Sequence, residues 1–287
     1  MGTAKFGCQL SQNNSNVDEV IEIALECERL GYDSVWAYDH LSPYWIKSGY
    51  ALECWTLLSA IAARTKRIKI GSLVTNIHLR NPALLAKMSS TLDNISDGRL
   101  ILGMGTGDKL SRNELLSYGY SYAPMTERIA RLRETIQILK AMWTEEETSM
   151  NGQYFKTSRA RNYPKPKQTP HPPIWIGGKH QKLLDVVAEM ADGWNYWGLM
   201  KTELAERERY LQSRCHELKR RPDDLVESWA GTVPIAPEPV RHTNTDGILS
   251  ALSTQTTVRT RYFIASFPEN SGPEGYEAFA DAVRKIG

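Results

Sequence analysis

The chain has 287 residues, 41% of them hydrophobic, enough to bury a large core as one domain or two. Its formal net charge of +2 is too small to argue for a nucleic-acid partner or an anionic membrane surface, and no apolar run approaches the roughly 18 residues of a membrane span. The first residues carry no hydrophobic signal core, and Cys8, Cys27, Cys54 and Cys215 lack C-x-x-C spacing, so the expectation is a cytosolic protein with reduced thiols and no zinc site.

In chain order, Phe6, Cys8 and Leu10 alternate as a first strand. Asn16 with Glu19 forms a capping pair for a helix whose apolar face is Val17, Val20, Ile21, Ala24 and Leu25, ending at Gly31. Ser34–Tyr38 is a second strand that runs into Asp39-His40. A polar, aromatic loop follows, then a helix over about Cys54–Arg64. Ile68–Thr75 is short, apolar and β-branched, as a buried strand should be. Asn81-Pro82 starts the next helix, with Asn as cap and Pro at the first helical position. Leu84, Leu85, Met88, Leu92 and Ile95 are expected on its buried face, and Asp97-Gly98 stops it. Arg99–Gly103 is a fourth strand, leading into alternating glycines at Gly103, Gly105 and Gly107.

The segment from there to Pro124 reads as loop-rich, and a long helix covers about Thr126–Trp143, with Ile129, Leu132, Ile136, Leu139 and Trp143 as its stripe. Met150–Pro173 is rich in Pro, Lys and Arg and has no helical period. The fifth strand is Pro173–Gly178, followed by a helix over Leu183–Ala191, a strand at Gly193–Trp197 and a charged, solvated helix in Lys201–Arg221. Val226–Ile235 is a seventh strand, Gly247–Leu252 a short helix, Arg259–Ser266 an eighth strand and Tyr276–Ile286 a closing helix. Buried strands joined by helical crossovers pair in parallel. Eight of them alternating with helices give an α/β protein, a (β/α)8 TIM barrel with an insertion before strand 5, and a barrel of about 250 residues nearly fills one domain over 1–287.

The order Gly71-Ser72-Leu73-Val74-Thr75-Asn76, then Arg80-Asn81-Pro82-Ala83-Leu84-Leu85-Ala86, then Ser96 through Gly107 resembles the bacterial-luciferase-like superfamily of flavin- and deazaflavin-dependent oxidoreductases. The resemblance extends with less force from about Lys5 to about Trp197 and implies the same barrel. It also assigns Met150–Pro173 to the family's insertion. The region between strands seven and eight looks short for the family, which leaves the late substrate-choosing loops open.

In such barrels the active site lies at the strand C-termini. His40 is either a proton donor and acceptor, with a pKa suited to neutral pH, or a loop histidine satisfied by a carbonyl. The resemblance favours the former, since Asp39-His40 is similar to the pair of the coenzyme F420 branch. For Ser72, Leu73, Val74, Thr75 and Asn76 it implies a non-proline cis bond at Ser72–Leu73 beneath the cofactor ring. Gly105-Thr106-Gly107 and Gly177-Gly178-Lys179 end strands four and five as paired glycine turns. Such turns let backbone amides approach a phosphate, and Lys179 can add charge. Asp108 matches a family position occupied by a glutamate acid. Tyr44 or Trp45, with Trp45 favoured, matches an active-site tryptophan.

The function these features imply is hydride transfer between coenzyme F420 and a small organic substrate, with His40 as acid/base and Asp108 as a second proton carrier. The alternatives are an FMN-dependent luciferase-like monooxygenase and a non-catalytic flavin-binding protein. Gln9 stands where the family's methylene-tetrahydromethanopterin reductases carry a glutamate, which argues against such a reductase. By family analogy the protein is a homodimer, with neither nucleic acid nor membrane as a partner.

Overall fold

Short β-branched and aromatic runs, buried on both faces, make the central strands of this protein, as expected of a parallel sheet covered by helices. The structure is a computed structural model and describes residues 4–43, 48–233, 245–268 and 272–286. The first half runs β1 (Lys5–Gln9), α1 (Val17–Arg29), β2 (Ser34–Ala37), α2 (Cys54–Arg64), β3 (Lys69–Ser72), β4 (Thr75–Asn76), α3 (Pro82–Ile95) and β5 (Leu100–Gly105). It continues with α4 (Lys109–Ser117), α5 (Met125–Thr144), β6 (Thr148–Asn151), β7 (Lys156–Ala160), β8 (Ile174–Gly177), α6 (Gln181–Met190), β9 (Gly193–Trp197) and α7 (Lys201–Glu217). After a 3₁₀ turn at Pro222–Asp224 come β10 (Val226–Thr232), α8 (Thr245–Gln255), β11 (Thr260–Ser266) and α9 (Gly272–Arg284).

The ring β1-β2-β3-β5-β8-β9-β10-β11 closes through the β1–β11 ladder, and every pairing in it is parallel. This is the TIM barrel. The insertion before the fifth barrel strand is the antiparallel β6–β7 hairpin and the proline-rich chain after it. Inside the barrel, Trp36 stacks on Trp175 with centroids 5.2 Å apart, and Tyr262 meets both edge-on. Glycines clear the room: a Cβ at Gly71 would lie 2.2 Å from the Trp36 ring, and one at Gly193 2.6 Å from Trp175. All four cysteines are buried free thiols. No described helix is long and apolar enough to cross a membrane.

Local expectations hold at the caps. Asn16 and Glu19 form a reciprocal capping box on α1, Asn81 caps α3 with Pro82 inside it, and the backbone after α3 turns left-handed at Asp97 and Gly98. Two expectations need correction. The buried face of α3 is Leu85, Ala86, Ser89, Ser90, Leu92 and Asp93, while Leu84 and Ile95 are exposed. Small side chains face the neighbouring helices there, with Trp143 Nε1 donating to the Ala86 carbonyl at 3.2 Å. The segment before Pro124, read as loop-rich, contains α4, a polar helix whose start is fixed by Asp108 rather than by an apolar stripe. The end of the strand expected at Val226–Ile235 lies outside the described residues beyond Val233.

Candidate active site at the strand C-termini

At the end of β2 the chain passes from the buried barrel wall to the rim. His40 lies there, half-buried, with Nδ1 2.8 Å from Glu114 Oε2 on α4. The other carboxylate oxygen of Glu114 accepts from the amides of Leu41 at 2.5 Å and Ser42 at 2.8 Å, and from the Ser42 hydroxyl at 3.2 Å. Burial pushes the Glu114 carboxyl up, but the hydrogen bond and charge of His40 and the two amides outweigh it and hold it below the usual value. Asp39 is buried and points elsewhere. It accepts Arg80 Nη1 at 2.6 Å, Arg80 Nη2 at 3.0 Å and the Asn76 amide at 2.9 Å. Burial pushes its carboxyl up and Arg80 works against that, and Arg80 also reaches Glu53 at 2.5 Å. Asp39 therefore braces β4 against β2. Gln12 braces the same strand end, accepting from the Tyr38 amide at 2.6 Å and donating to the Tyr38 carbonyl at 3.0 Å.

Next to β2, the β3 ladder runs regularly through Ser72 to Leu73, whose amide donates to the Ala37 carbonyl at 2.7 Å. The cis bond accordingly lies at Leu73–Val74, one residue later than the Ser72–Leu73 expected. Ser72 is held inside the barrel, its Oγ donating to the Gly103 carbonyl and accepting from Thr75, both at 2.8 Å. Leu73 packs on the Trp36–Trp175–Tyr262 cluster. Val74 fills space left by glycines: a Cβ at Gly105 would lie 2.6 Å from Val74 Cγ2, and one at Gly177 2.7 Å from Val74 Cγ1. The glycines at 105 and 177 thus make room for Val74 before they serve any ligand.

The two glycine turns are neighbours because β5 pairs with β8 at Met104 and Ile176. Gly107 has φ +69° and Gly178 φ +134°, left-handed backbone that L side chains rarely adopt. Arg128 of α5 holds the Thr106 carbonyl at 2.8 Å and also donates to the Gly107 carbonyl. Gly178 is fixed by donating to the Asn195 carbonyl at 3.0 Å and accepting from Trp194 Nε1 at 2.7 Å. Lys179 is exposed, its Nζ 3.3 Å from the Gly198 carbonyl. Asn76 is buried, yet its Nδ2 has no partner among the described residues, and a Cβ at Gly107 would lie 3.5 Å from it. Such a buried donor calls for an acceptor.

The structure thus gathers Asp39, His40, Ser72, Leu73, Val74, Thr75, Asn76, Gly105, Thr106, Gly107, Gly177, Gly178 and Lys179 at one end of the barrel. Asp108 adjoins them, but its Oδ1 caps α4, accepting from the amide and hydroxyl of Ser111, both at 2.8 Å. Tyr44 and Trp45 lie outside the described residues. Sequence reasoning missed Glu114, Arg80, Gln12 and Arg128. His78, also near the rim, is kept neutral at pH 7: burial first, then Arg128 and Arg131, push its pKa down to about 4. It borders a side pocket of about 220 Å³ with Arg80, Tyr120, Arg131 and Phe155.

Comparison with known proteins bears on the family and the fold. The F420-dependent glucose-6-phosphate dehydrogenase of Amycolatopsis mediterranei is 33% identical over 190 residues, 66% of this chain and 56% of that protein. That of Nocardia farcinica is 36% identical over 169 residues, 58% of this chain and 50% of that protein. The chain spans about half the length of the curated relatives it matches. An F420-dependent secondary alcohol dehydrogenase solved with an F420–acetone adduct superposes with a TM-score of 0.88 at 17% identity, covering 100% of both chains. The coenzyme F420-dependent tetrahydromethanopterin reductase of Methanopyrus kandleri gives 0.80 at 16% identity, covering 98% of each chain. These two show the barrel fold. Residues 2–239 match the pattern of the luciferase-like monooxygenase family, and with the rim geometry of that barrel in place the chain belongs to this family.

Proposed function

We propose that the protein is an oxidoreductase that moves hydride between coenzyme F420 and a small organic substrate, with His40 exchanging the accompanying proton. The observation that carries this reading is His40 at the end of β2, its Nδ1 engaged by Glu114 at 2.8 Å, on the strand paired to the Leu73–Val74 turn. The names of the relatives, F420-dependent glucose-6-phosphate dehydrogenases, support the cofactor and a hydroxyl-bearing substrate.

The residues present fit such a cofactor. Asn76 Nδ2, without a partner among the described residues, is a buried donor, and the left-handed glycines 107 and 178 put bare backbone at adjacent strand ends. Leu73–Asn76 would lie against the ring system, with Gly105–Gly107 and Gly177–Lys179 toward the phosphate. A bound deazaflavin supplies the carbon that accepts or releases hydride. The chain's own work is then to orient and to move a proton. Asp39 and Arg80 lock the turn after β3, Arg128 locks the turn after β5, and His40 takes the hydroxyl proton of the substrate. Asp108 is the second candidate proton carrier, and Tyr44 or Trp45 is assigned to the substrate side. We also assign the protein to the cytosol as a homodimer, the dimer on family analogy alone.

Titration with F420 and, separately, with FMN tests the cofactor. F420 should bind with a perturbed spectrum and undergo single-turnover reduction by a hydroxyl substrate. Binding of FMN alone, or F420 binding without reduction across alcohols and sugar phosphates, would overturn the reading. Light scattering that gives a monomer mass at micromolar concentration would remove the dimer.

A further inference from the structure

We propose that Glu114 is the positioning residue of His40: its carboxylate holds the imidazole proton on Nδ1 and, through its other oxygen, fixes the chain that follows His40. The kinetic consequence rests on the hydride-transfer reading above; the geometry does not.

Both oxygens of this carboxylate are in use. Oε2 meets His40 Nδ1 at 2.8 Å, while Oε1 accepts from the Leu41 and Ser42 amides at 2.5 and 2.8 Å. The Glu114 side chain is only 6% exposed, and a carboxylate that dry persists only when paired and hydrogen-bonded. An ionised carboxylate accepts and never donates, so a neutral His40 beside it carries its proton on Nδ1. The lone pair of a neutral imidazole is then on Nε2, the form a general base requires.

The rest of α4 is arranged to keep this contact. Asp108 caps its first turn, and Tyr118, four residues beyond Glu114 and so on the same face, donates to the Leu41 carbonyl at 2.9 Å. Glu114 and Tyr118 together clamp the amide and the carbonyl of Leu41. The helix that sequence periodicity did not reveal is thus the element that sets the orientation of His40.

The substitution Glu114→Gln separates positioning from packing. Gln keeps the shape and the acceptor: its oxygen can still face the Leu41 and Ser42 amides, which leaves its NH₂ to donate to His40 Nδ1. The proton of the imidazole is then forced to Nε2. Nitrogen-15 spectra of histidine-labelled apoprotein read this tautomer directly, and His40→Asn identifies its signals among those of the six histidines. The expected result is an Nδ1-protonated ring in the wild type and an Nε2-protonated ring in Glu114→Gln. An Nε2-protonated wild type, or a tautomer unchanged by the substitution, would overturn the proposal; if the variant fails to fold, the wild-type spectrum alone decides it.

With F420 bound, Glu114→Gln should lower kcat by at least about 100-fold and up to about 10⁴-fold, the loss seen when a triad histidine is held in the wrong tautomer, with F420 affinity unchanged. Full turnover with an inverted tautomer would overturn the positioning role. A wild type that shows the Nδ1-protonated ring but reduces no F420 would refute the hydride-transfer reading and leave the tautomer assignment standing.

Discussion

At the scale of single residues, the two neighbours at the end of β2 have opposite duties. His40 meets a carboxylate on a surface helix, whereas Asp39 is sealed behind Arg80. Their substitutions should separate accordingly. General acid–base groups contribute about 10²–10⁴ in rate, so His40→Asn should lose turnover of that order while cofactor titration stays native. Arg80→Met leaves the 1%-exposed Asp39 carboxylate without its partner. Breaking a buried pair from one side costs about 3–5 kcal/mol, which thermal denaturation should register as a large fall in Tm. His40 was legible only through the resemblance at Asp39-His40, since its place after β2 left a loop histidine satisfied by a carbonyl as an equal reading. Arg80 and Glu114 were not legible, since their partners sit 41 and 74 positions away and no local period links them. The cis bond was misplaced by one residue because nothing local distinguishes Ser72 from Leu73; the ladder to Ala37 does.

Among elements, the strands and the long helices followed from periodicity, because burial on one or both faces leaves a repeat in the sequence. The face of α3 followed only in part: Leu85 and Leu92 are buried as expected, but it also packs through Ala86, Ser89 and Ser90, small side chains that carry little hydropathy signal, while Leu84 and Ile95 are exposed. The packing of β10 against α7 and β11 carries its own consequence. Glu227 on β10 accepts Arg259 Nε at 2.6 Å, and its Oε2 is buried without a partner among the described residues. Burial, offset by Arg259 and reinforced by Glu208, pushes its carboxyl from 4.5 up to about 7. A folded-state value above the unfolded one favours the protonated carboxyl in the native protein. The stabilisation is present in full below pH 4.5 and fades as pH rises through about 7. The Tm of Glu227→Gln relative to wild type should therefore climb between pH 5 and pH 8, by roughly 2–4 °C for each kcal/mol. A flat difference across that range would mean that Arg259 keeps the carboxylate charged throughout.

For the molecule as a whole, the ring of eight parallel strands brings turns that are 70 residues apart in sequence side by side, as Gly107 and Gly177 are. That juxtaposition is what a ligand spanning several strands would tie together. A ligand that binds only the folded state adds about 2.7 kcal/mol at one hundred times its Kd. F420 at that concentration should then raise Tm by roughly 5–10 °C in a chain of this size. In Gly178→Val the rise should shrink, because a Cβ there would lie 2.8 Å from Leu183 Cδ1 on a left-handed backbone. An equal rise in both proteins would place the ligand away from this turn.

The slot that receives Val74 also makes positions 74, 105 and 177 a single unit of inheritance. Alanine at 105 alone would press on Val74 Cγ2 at 2.6 Å, yet the Val74 Cβ itself is 3.8 Å from that point, an ordinary contact. Val74→Ala should therefore license Gly105→Ala. Denaturation of the two single variants and the double variant should give a double less unstable than their sum, by about 0.5–3 kcal/mol for groups in contact. A lineage that shortens residue 74 first can explore side chains at the two strand ends; one that tries the glycines first meets a closed door.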